Sequence, residues 1–388
     1  MRAKVYDEFT KQFGDEGSIR VFFAPGRVNL IGEHTDYNGG HVFPCALTIG
    51  TYVVIRKRQD SLIRLYSMNF ESVGIREVDM EKLDELVLRD WTQYPVGIVW
   101  ALCQKGFEIN NGFDILYYGN IPNGSGLSSS ASIEVATAYA VSRVFDFTIS
   151  NMEIAKLSQF SENEYNKVNC GIMDQFAVAM GKADHAIYLD TATLDYRYAP
   201  IKLEQEKIVI MNTNKRRELG DSKYNERRFE CQKALELLQS VVNVGSLGDL
   251  TIEEFEAHKE VIGDSVLRKR AKHAVYENQR TIRAVKALEE KDLALFGKLM
   301  VESHDSLRND YEVTGVELDT LVEETLKCDG VLGARMTGAG FGGCAVSIVK
   351  DASVETVIKT VGENYEKKIG YPADFYVVSV GDGPRELI

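Results

Sequence analysis

A short run near the start of the chain concentrates polar side chains between two apolar stretches. Burying so many polar groups is costly unless each finds a partner, so the run lies either in solvent or in a polar pocket. The flanking residues 21–23 and 42–43 have the composition of strands, which favours a pocket held at the ends of strands. We therefore expect a binding site for a small, hydroxyl-rich molecule. The polar residues of the run are Arg27, Asn29, Glu33, His34, Asp36 and Tyr37.

A second motif, residues 120–131, joins a predicted strand to a predicted helix and is rich in glycine and serine. Glycines let backbone amides turn towards a ligand, and the start of a helix adds unpaired N–H groups and partial positive charge. No lysine follows the glycines as in a Walker loop, and the third glycine of a dinucleotide fingerprint is missing. The loop predicts an anion site, such as one for a nucleoside triphosphate; an ordinary glycine-serine turn with a serine N-cap is the alternative.

Two further features complete the set of candidate chemical groups. Residues 335–346 contain four glycines within six positions, which indicates either a close approach to a ligand or a hairpin between two C-terminal strands. Asp174 follows Gly171 where a helix is predicted to begin. Beside a cation this carboxylate could accept or orient a hydroxyl proton, although an N-cap role for the aspartate is equally compatible with the sequence.

The elements that must position these groups form an α+β arrangement with mixed or antiparallel sheets, because predicted strands often follow one another directly. Long helices dominate after about residue 215, and the region 198–200 is the best boundary between two domains, 1–200 and 201–388. Strands are predicted at 21–24, 52–56, 63–68, 113–118, 207–211, 344–349 and 375–380. Helices are predicted at 133–145, 150–165, 226–241, 268–289 and 317–328. The helix at 150 opens with a capping box, Ser150 and Glu153.

Composition limits the possible partners of the chain. Its 388 residues carry a net charge of −13, which argues against general binding of nucleic acids or anionic membranes. The six cysteines show no metal-site or redox-pair spacing, and no apolar run is long enough to span a membrane. We expect a cytoplasmic protein that acts as a monomer on small molecules.

The three motifs, in this order, resemble the GHMP small-molecule kinases, and within them the galactokinase family. The run from Gly26 to Tyr37 resembles the distinctive galactokinase element, residues 124–131 the shared ATP loop, and residues 336–343 the third GHMP motif. The resemblance extends from about residue 22 to residue 343. It implies a two-domain GHMP kinase fold with the active site in the cleft between the domains, and ATP and Mg²⁺ as cofactors.

The resemblance also implies a role for individual residues. Asp174 matches the catalytic aspartate and Arg27 its cationic partner. The sugar would be bound by Glu33, His34, Asp36, Gly171 and Tyr224. The nucleotide would be bound by Trp91, Tyr94, Gly124, Ser125, Gly126, Leu127, Ser128, Ser129, Ser130 and Ala131. Ser130 and Glu162 match the Mg²⁺ ligands.

Simpler roles are open for four of these residues. Trp91 and Tyr94 could be core aromatics, Glu162 a solvated helix residue, and Tyr224 a packing residue at a helix start.

The implied reaction moves the γ-phosphoryl group of ATP to the anomeric hydroxyl of galactose, the first step of galactose breakdown. An aspartate with a pKa of about 3.9 is a weak base at neutral pH, so Asp174 would accept the proton late while Arg27 stabilises developing charge. Three alternatives remain open at this point. They are a kinase for a related sugar such as N-acetylgalactosamine or L-arabinose, a galactose-binding and ATP-binding regulator without useful turnover, and a nicotinamide-dependent dehydrogenase.

Overall fold

Three β-sheets and a set of surrounding helices make up the fold. The computed structural model describes residues 1–85, 88–122, 126–215 and 220–388. A six-stranded sheet has the order β13-β1-β3-β6-β4-β5, a four-stranded sheet the order β10-β11-β9-β12, and a three-stranded sheet the order β2-β7-β8. The strands are β1 (Arg20–Asn29), β2 (His41–Val42), β3 (Pro44–Lys57), β4 (Leu62–Ser67), β5 (Arg76–Asp79), β6 (Phe113–Gly119), β7 (His185–Asp190), β8 (Tyr196–Pro200), β9 (Glu206–Asn212), β10 (Val331–Thr337), β11 (Cys344–Lys350), β12 (Asp374–Val378) and β13 (Arg385–Glu386).

Helices lie in the segments between these strands, and each helix predicted at 133–145, 150–165, 226–241, 268–289 and 317–328 overlaps one of them. Their bounds are α1 (Arg2–Phe13), α2 (Gln93–Gln104), α3 (Ser129–Val144), α4 (Asn151–Phe160), α5 (Met173–Ala179), α6 (Gly220–Leu238), α7 (Ile252–His258), α8 (Ser265–Glu289), α9 (Leu293–Ser306), α10 (Gly315–Leu326) and α11 (Val354–Ile369). The predicted capping box of α4 is present, since Ser150 and Glu153 exchange hydrogen bonds. The helix predicted over 150–165 changes at its end, because residues Ser161–Tyr165 form a π-helical turn.

The sheets are mixed or antiparallel, as predicted. In the six-stranded sheet β4 and β6 run parallel, whereas the other pairings are antiparallel. One face of this sheet packs on α2, α3 and α4 through a core that includes Phe22, Ile115 and Val135. The four-stranded sheet is antiparallel throughout and packs on the C-terminal helices. Each of these two sheets therefore has its own hydrophobic cluster.

Two features join the two halves of the chain. A third hydrophobic cluster combines Val28 and Leu30 of the N-terminal half with Phe296 and Val346 of the C-terminal half. The chain end also returns to the first sheet, where β13 pairs with β1. The sheets divide between β8 and β9, near residue 200, and the exact domain bounds 1–200 and 201–388 stay a prediction.

Candidate functional site

A cavity of about 320 Å³ lies where the ends of several elements meet. The polar run after β1, the loop before α3, the start of α5 and the loop between β10 and β11 all contribute to its walls. Segments that are far apart in the sequence therefore face one space. The predicted site residues that line it are Arg27, Glu33, His34, Asp36, Tyr94, Gly126, Ser128, Ser129, Ser130, Glu162, Gly171, Asp174 and Tyr224.

Arg27 and Asp174 form a two-pronged ion pair in this cavity. Arg27 Nε lies 2.8 Å from Asp174 Oδ1, and Nη2 lies 2.7 Å from Oδ2. The third nitrogen of the guanidinium donates to the Gly126 carbonyl at 2.7 Å. Asp174 occupies the first turn of α5, and the N-cap position is held by Ile172. The N-cap alternative for this aspartate is therefore wrong, and its carboxylate faces the cavity beside a fixed cation.

A bulge in β1 places Arg27 at this point. The register against β3 shifts between Pro25 and Arg27, and the Arg27 backbone amide donates to the Leu127 carbonyl instead of the sheet. A bulge re-aims one side chain of a strand. Gly26 allows this approach, because a Cβ there would lie 3.0 Å from the Leu127 carbonyl oxygen. The cation is thus fixed between strand and loop.

The N-terminus of α3 opens onto the cavity through Ser128, Ser129 and Ser130. Ser128 has a φ of 57° and does not cap the helix with its side chain. Its hydroxyl donates to Asp174 Oδ2 instead. The amides of the first turn of a 16-residue helix are therefore directed at the cavity without a side-chain cap, an arrangement suited to phosphate.

Asp36 lies against Gly171 on another wall of the cavity. A Cβ on Gly171 would lie 1.8 Å from Asp36 Oδ2, so only glycine allows this contact. Burial raises the pKa of Asp36 to about 7, and the neighbouring Asp174 carboxylate adds to this effect. Its carboxylate accepts a hydrogen bond from the Tyr37 backbone. Asp36 is thus a buried acid in contact with the cavity.

His34 is a neutral imidazole whose tautomer follows from its partners. Nε2 lies 3.2 Å from the Ala339 carbonyl oxygen, which can only accept, so Nε2 carries the proton. Nδ1 then accepts from the Tyr37 hydroxyl at 2.7 Å, and Tyr37 in turn accepts from Tyr311 at 2.8 Å. Burial lowers the pKa of His34 to about 3. The ring therefore stays neutral at physiological pH. The Tyr224 ring lies 5.7 Å from it and extends this aromatic wall.

Glu33 is buried at the back of the cavity and strongly hydrogen-bonded. Oε2 accepts from Arg335 at 2.7 Å and from Asn29 at 2.6 Å, while Oε1 accepts from the Gly338 amide at 2.7 Å. Burial raises the pKa of Glu33, and the charge of Arg335 opposes that rise. The carboxylate therefore connects the polar run to the third glycine loop.

Ser130 and Glu162 line the same cavity and supply oxygen donors. Glu162 is buried and lies in the π-helical turn after α4. Glu134 of α3 lies behind it and is fully buried. Burial and the neighbouring Glu162 carboxylate raise the pKa of Glu134 well above its usual value. Of these two glutamates, only Glu162 lines the cavity. Within the described residues, no cluster of three or more acidic, His or Cys side chains forms a complete metal site.

A smaller cavity of about 160 Å³ adjoins the first and shares Tyr94, Ser129 and Ser130 with it. Trp91 lines this second cavity and stacks on Phe70, with the ring centroids 6.5 Å apart. The Trp91 indole nitrogen is buried and has no hydrogen-bond partner among the described residues. Trp91 and Tyr94 thus pack in the protein and also border a cavity beside the glycine-serine loop.

The remaining predicted residues lie elsewhere. Leu127 and Ala131 are buried in the hydrophobic clusters and do not line the cavity. Gly124 and Ser125 lie outside the described residues. The third glycine motif is a hairpin loop between β10 and β11 and also lines the cavity, so both interpretations of it hold. The lining residues that the sequence did not single out are Val168, Cys170, Met173, Gln175, Ala339 and Phe341.

The positions of these additional residues in the sequence give little indication that they line the cavity. Cys170, Met173 and Gln175 neighbour predicted residues along the chain, so the motif around Asp174 could have indicated them. The sequence gives no such signal for Glu134, because an acidic side chain in an amphipathic helix is expected on the solvent-exposed face. As for membrane association, none of the helices in the described ranges is long and apolar enough to cross a bilayer.

Comparisons with known proteins agree with this geometry. The galactokinase galactose-binding signature matches residues 7–57, the GHMP kinase N-terminal domain matches residues 93–182 and the GHMP kinase C-terminal domain matches residues 284–367. Galactokinase of Clostridium beijerinckii is 57% identical over 380 residues, which cover 98% of this chain and 97% of that protein. Galactokinase of Bacillus subtilis is 50% identical over 387 residues, which cover 100% and 99%.

Solved structures confirm the predicted two-domain fold class. The crystal structure of Lactococcus lactis galactokinase complexed with galactose has a TM-score of 0.98 and 48% identity, with 100% of both chains covered. Mevalonate kinase of Methanococcus jannaschii has a TM-score of 0.67 at 22% identity over 95% of this chain and 100% of that chain, a likeness of fold alone. From the three motifs, the shared cavity and these full-length similarities, the chain belongs to the galactokinase family of the GHMP kinases.

Proposed function

We propose that this protein transfers the γ-phosphoryl group of ATP to the anomeric hydroxyl of D-galactose, giving galactose 1-phosphate and ADP. The observation that carries the proposal is the Arg27–Asp174 pair, which lies in one cavity between the buried acid Asp36 and the N-terminus of α3. Membership of the galactokinase family supports the same substrates. A regulator without turnover would not need this pair, and the family assignment does not favour a dehydrogenase.

Asp174 accepts the proton of the attacking hydroxyl in this proposal. Arg27 holds its carboxylate through both oxygens, so the base is fixed in direction before the sugar arrives. Phosphoryl transfer has a loose transition state, and proton transfer to a weak base occurs late. Arg27 also places positive charge beside the developing negative charge, a contribution that fixed donors make without reorganisation.

The sugar is held by the part of the cavity that carries Asp36. Asp36 accepts hydrogen bonds from sugar hydroxyls, and Gly171 leaves the space that the Asp36 carboxylate occupies. Glu33, His34 and Tyr224 complete the pocket. This division assigns recognition to the polar run and chemistry to Arg27 and Asp174.

The nucleotide occupies the remaining walls. The backbone around Gly126 and the serines 128–130 receives the phosphates, and the smaller cavity beside Trp91 and Tyr94 receives adenine. Gly124, Ser125, Leu127 and Ala131 belong to the same proposed loop. Ser130 and Glu162 would hold Mg²⁺, since a hydroxyl and a carboxylate are the hard oxygen donors this ion prefers. The ion would neutralise phosphate charge when bound.

The decisive experiment is galactose-dependent release of ADP, with a panel of related sugars in parallel. We expect Asp174→Asn to lower kcat by about 10²–10³-fold while ATP still binds, because the amide cannot accept the hydroxyl proton. Asp146→Asn is the matched control: Asp146 is exposed and lies outside the cavity, so its variant should keep the wild-type rate. A near-normal kcat for Asp174→Asn would remove the base assignment, and preference for another sugar would redirect the substrate assignment.

The proposal also covers the domain boundary, the oligomeric state and the location of the protein. We infer a domain boundary near residue 200, a monomer, and a cytoplasmic location, which the six free cysteines support. Size-exclusion chromatography with light scattering measures the molar mass of the protein in solution, and the mass of a dimer would contradict the proposed monomer.

A further inference from the structure

Arg335 is a fully buried arginine that lies behind the cavity and is not one of its lining residues. We propose that Arg335 is a positioning residue that fixes the sugar wall and the third glycine loop relative to each other. The inference rests on the proposed function, because it assigns Arg335 a role in how the sugar and nucleotide sites are held. It concerns a residue that acts through Glu33 and not by contact with either substrate.

The guanidinium of Arg335 joins three separate elements. Nη2 donates to Glu33 Oε2 at 2.7 Å, and Nη1 donates to the Asn29 carbonyl at 3.2 Å. Nε donates to Ser303 Oγ at 3.2 Å, which ties the group to α9. Its three nitrogens therefore hold the end of β1, the polar run and a C-terminal helix. A lysine has only one nitrogen and cannot make this set of contacts.

Glu33 passes this constraint to the third glycine loop. While Oε2 pairs with Arg335, Oε1 accepts from the Gly338 amide at 2.7 Å and lies 3.2 Å from the Thr337 hydroxyl. Gly338 in turn contacts the nucleotide side, because a Cβ there would lie 3.1 Å from the Gly126 carbonyl oxygen. One carboxylate thus connects the sugar wall with the loop that packs on the proposed phosphate site.

A second buried acid holds the other side of Arg335. Oε1 of Glu277, a residue of α8, lies 3.9 Å from Arg335 Nη2. The same oxygen accepts hydrogen bonds from the Gly32 amide at 3.0 Å and from the Ser303 hydroxyl at 2.6 Å. The other oxygen, Oε2, pairs with Arg280. Burial raises the pKa of Glu277, but the charges of Arg280, His273 and Arg335 outweigh it and hold the pKa at about 2. Gly32 begins the turn that carries Glu33 and His34. The network therefore holds the middle of the polar run, from Asn29 to Glu33.

Arg335→Lys tests the inference, and Arg270→Lys is its matched control. Arg270 is also a buried arginine, paired with Glu230 and Glu312, but neither it nor its partners line the cavity. Both variants should lower the melting temperature. We expect only Arg335→Lys to raise the KM values for galactose and for ATP, each by about tenfold, with a smaller change in kcat.

Thr337→Val keeps the test decisive if Arg335→Lys does not fold. It removes a hydroxyl near Glu33 while preserving shape, and should raise both KM values in the same direction by a smaller factor. Calorimetric titration of galactose and of ADP, each alone, gives the same comparison without turnover. If both Arg335→Lys and Thr337→Val match Arg270→Lys in KM and Kd, Arg335 is merely structural and the inference is wrong. Wild-type protein that binds galactose but releases no ADP would instead overturn the proposed function, and absence of galactose binding would overturn both.

Discussion

Asp36 should make sugar binding depend on pH near neutrality. Burial first, and Asp174 second, raise its pKa to about 7, and its ionised form is the better acceptor for sugar hydroxyls. We therefore expect the KM for galactose to rise as pH falls from 8 to 6, with little change in the KM for ATP. Steady-state kinetics across this range measures the effect. His34 does not contribute, since its pKa of about 3 keeps the ring neutral.

Asp36→Asn is the control for this titration. Its galactose KM should be high at every pH and should lose the dependence. The same pKa sets the direction of the effect on stability. Between about pH 4 and 7 the folded state binds more protons than the unfolded state, so the free energy of unfolding of the wild-type protein falls as pH rises through that window. Asp36→Asn should therefore melt at a higher temperature than wild type at pH 8. An unchanged KM profile would contradict the pKa assignment.

At the scale of elements, a glycine contact sets the distance between α9 and β10. A Cβ on Gly297 would lie 1.9 Å from the Leu332 carbonyl oxygen, and Gly333 faces it from the strand. This approach brings Ser303 to Arg335 and His304 to the Met336 amide. Gly297→Ala should reduce the free energy of unfolding by about 1–3 kcal/mol through overpacking, measured by urea denaturation.

Gly362→Ala in α11 is the matched helical control. A Cβ there would meet only the edge of the Phe375 ring, at 3.3 Å. The gain in helix propensity, about 0.5–1 kcal/mol, then competes with a small ring shift, and the net change should be near zero. An equal loss of stability in both variants would show that the α9–β10 spacing has no special importance.

At the scale of the whole molecule, the chain end closes the first sheet. Glu386 of β13 pairs with Arg20 at 2.7–2.8 Å, and the Leu387 amide donates to the Val21 carbonyl at 2.8 Å. Removal of residues 384–388 exposes the edge of β1. It should lower the melting temperature while both KM values stay unchanged, because none of these residues lines the described cavity.

Glu386→Gln distinguishes the contribution of the ion pair from the contribution of strand pairing. Both side chains of the pair are about one-third exposed, so its loss should cost about 1 kcal/mol or less, and less than the truncation. A truncated protein with a raised galactose KM would mean that the terminus acts on the site through the sheet.

Local pattern accounts for much of the fold and of the candidate site. Apolar composition and periodicity predict seven of the strands and five of the helices because such patterns follow backbone geometry, and the capping box at Ser150 is a local hydrogen-bond pattern. The π-helical turn that carries Glu162 was not predictable, because a change from α to π hydrogen bonding depends on packing. The pairing of β13 with β1 was not predictable either, since it joins residues more than 360 positions apart.

The residue types and their order along the chain were sufficient to identify the polar run, the glycine-serine loop and Asp174, because each of these motifs consists of residues close together in the sequence. Folding settled which groups meet. It assigned the Asp174 carboxylate to Arg27 and not to a helix cap, placed Asp36 against Gly171, and buried Arg335 between Glu33 and Glu277. Charge, burial and hydrogen bonding in these contacts depend on distances between remote residues, and such distances exist only once the chain has packed.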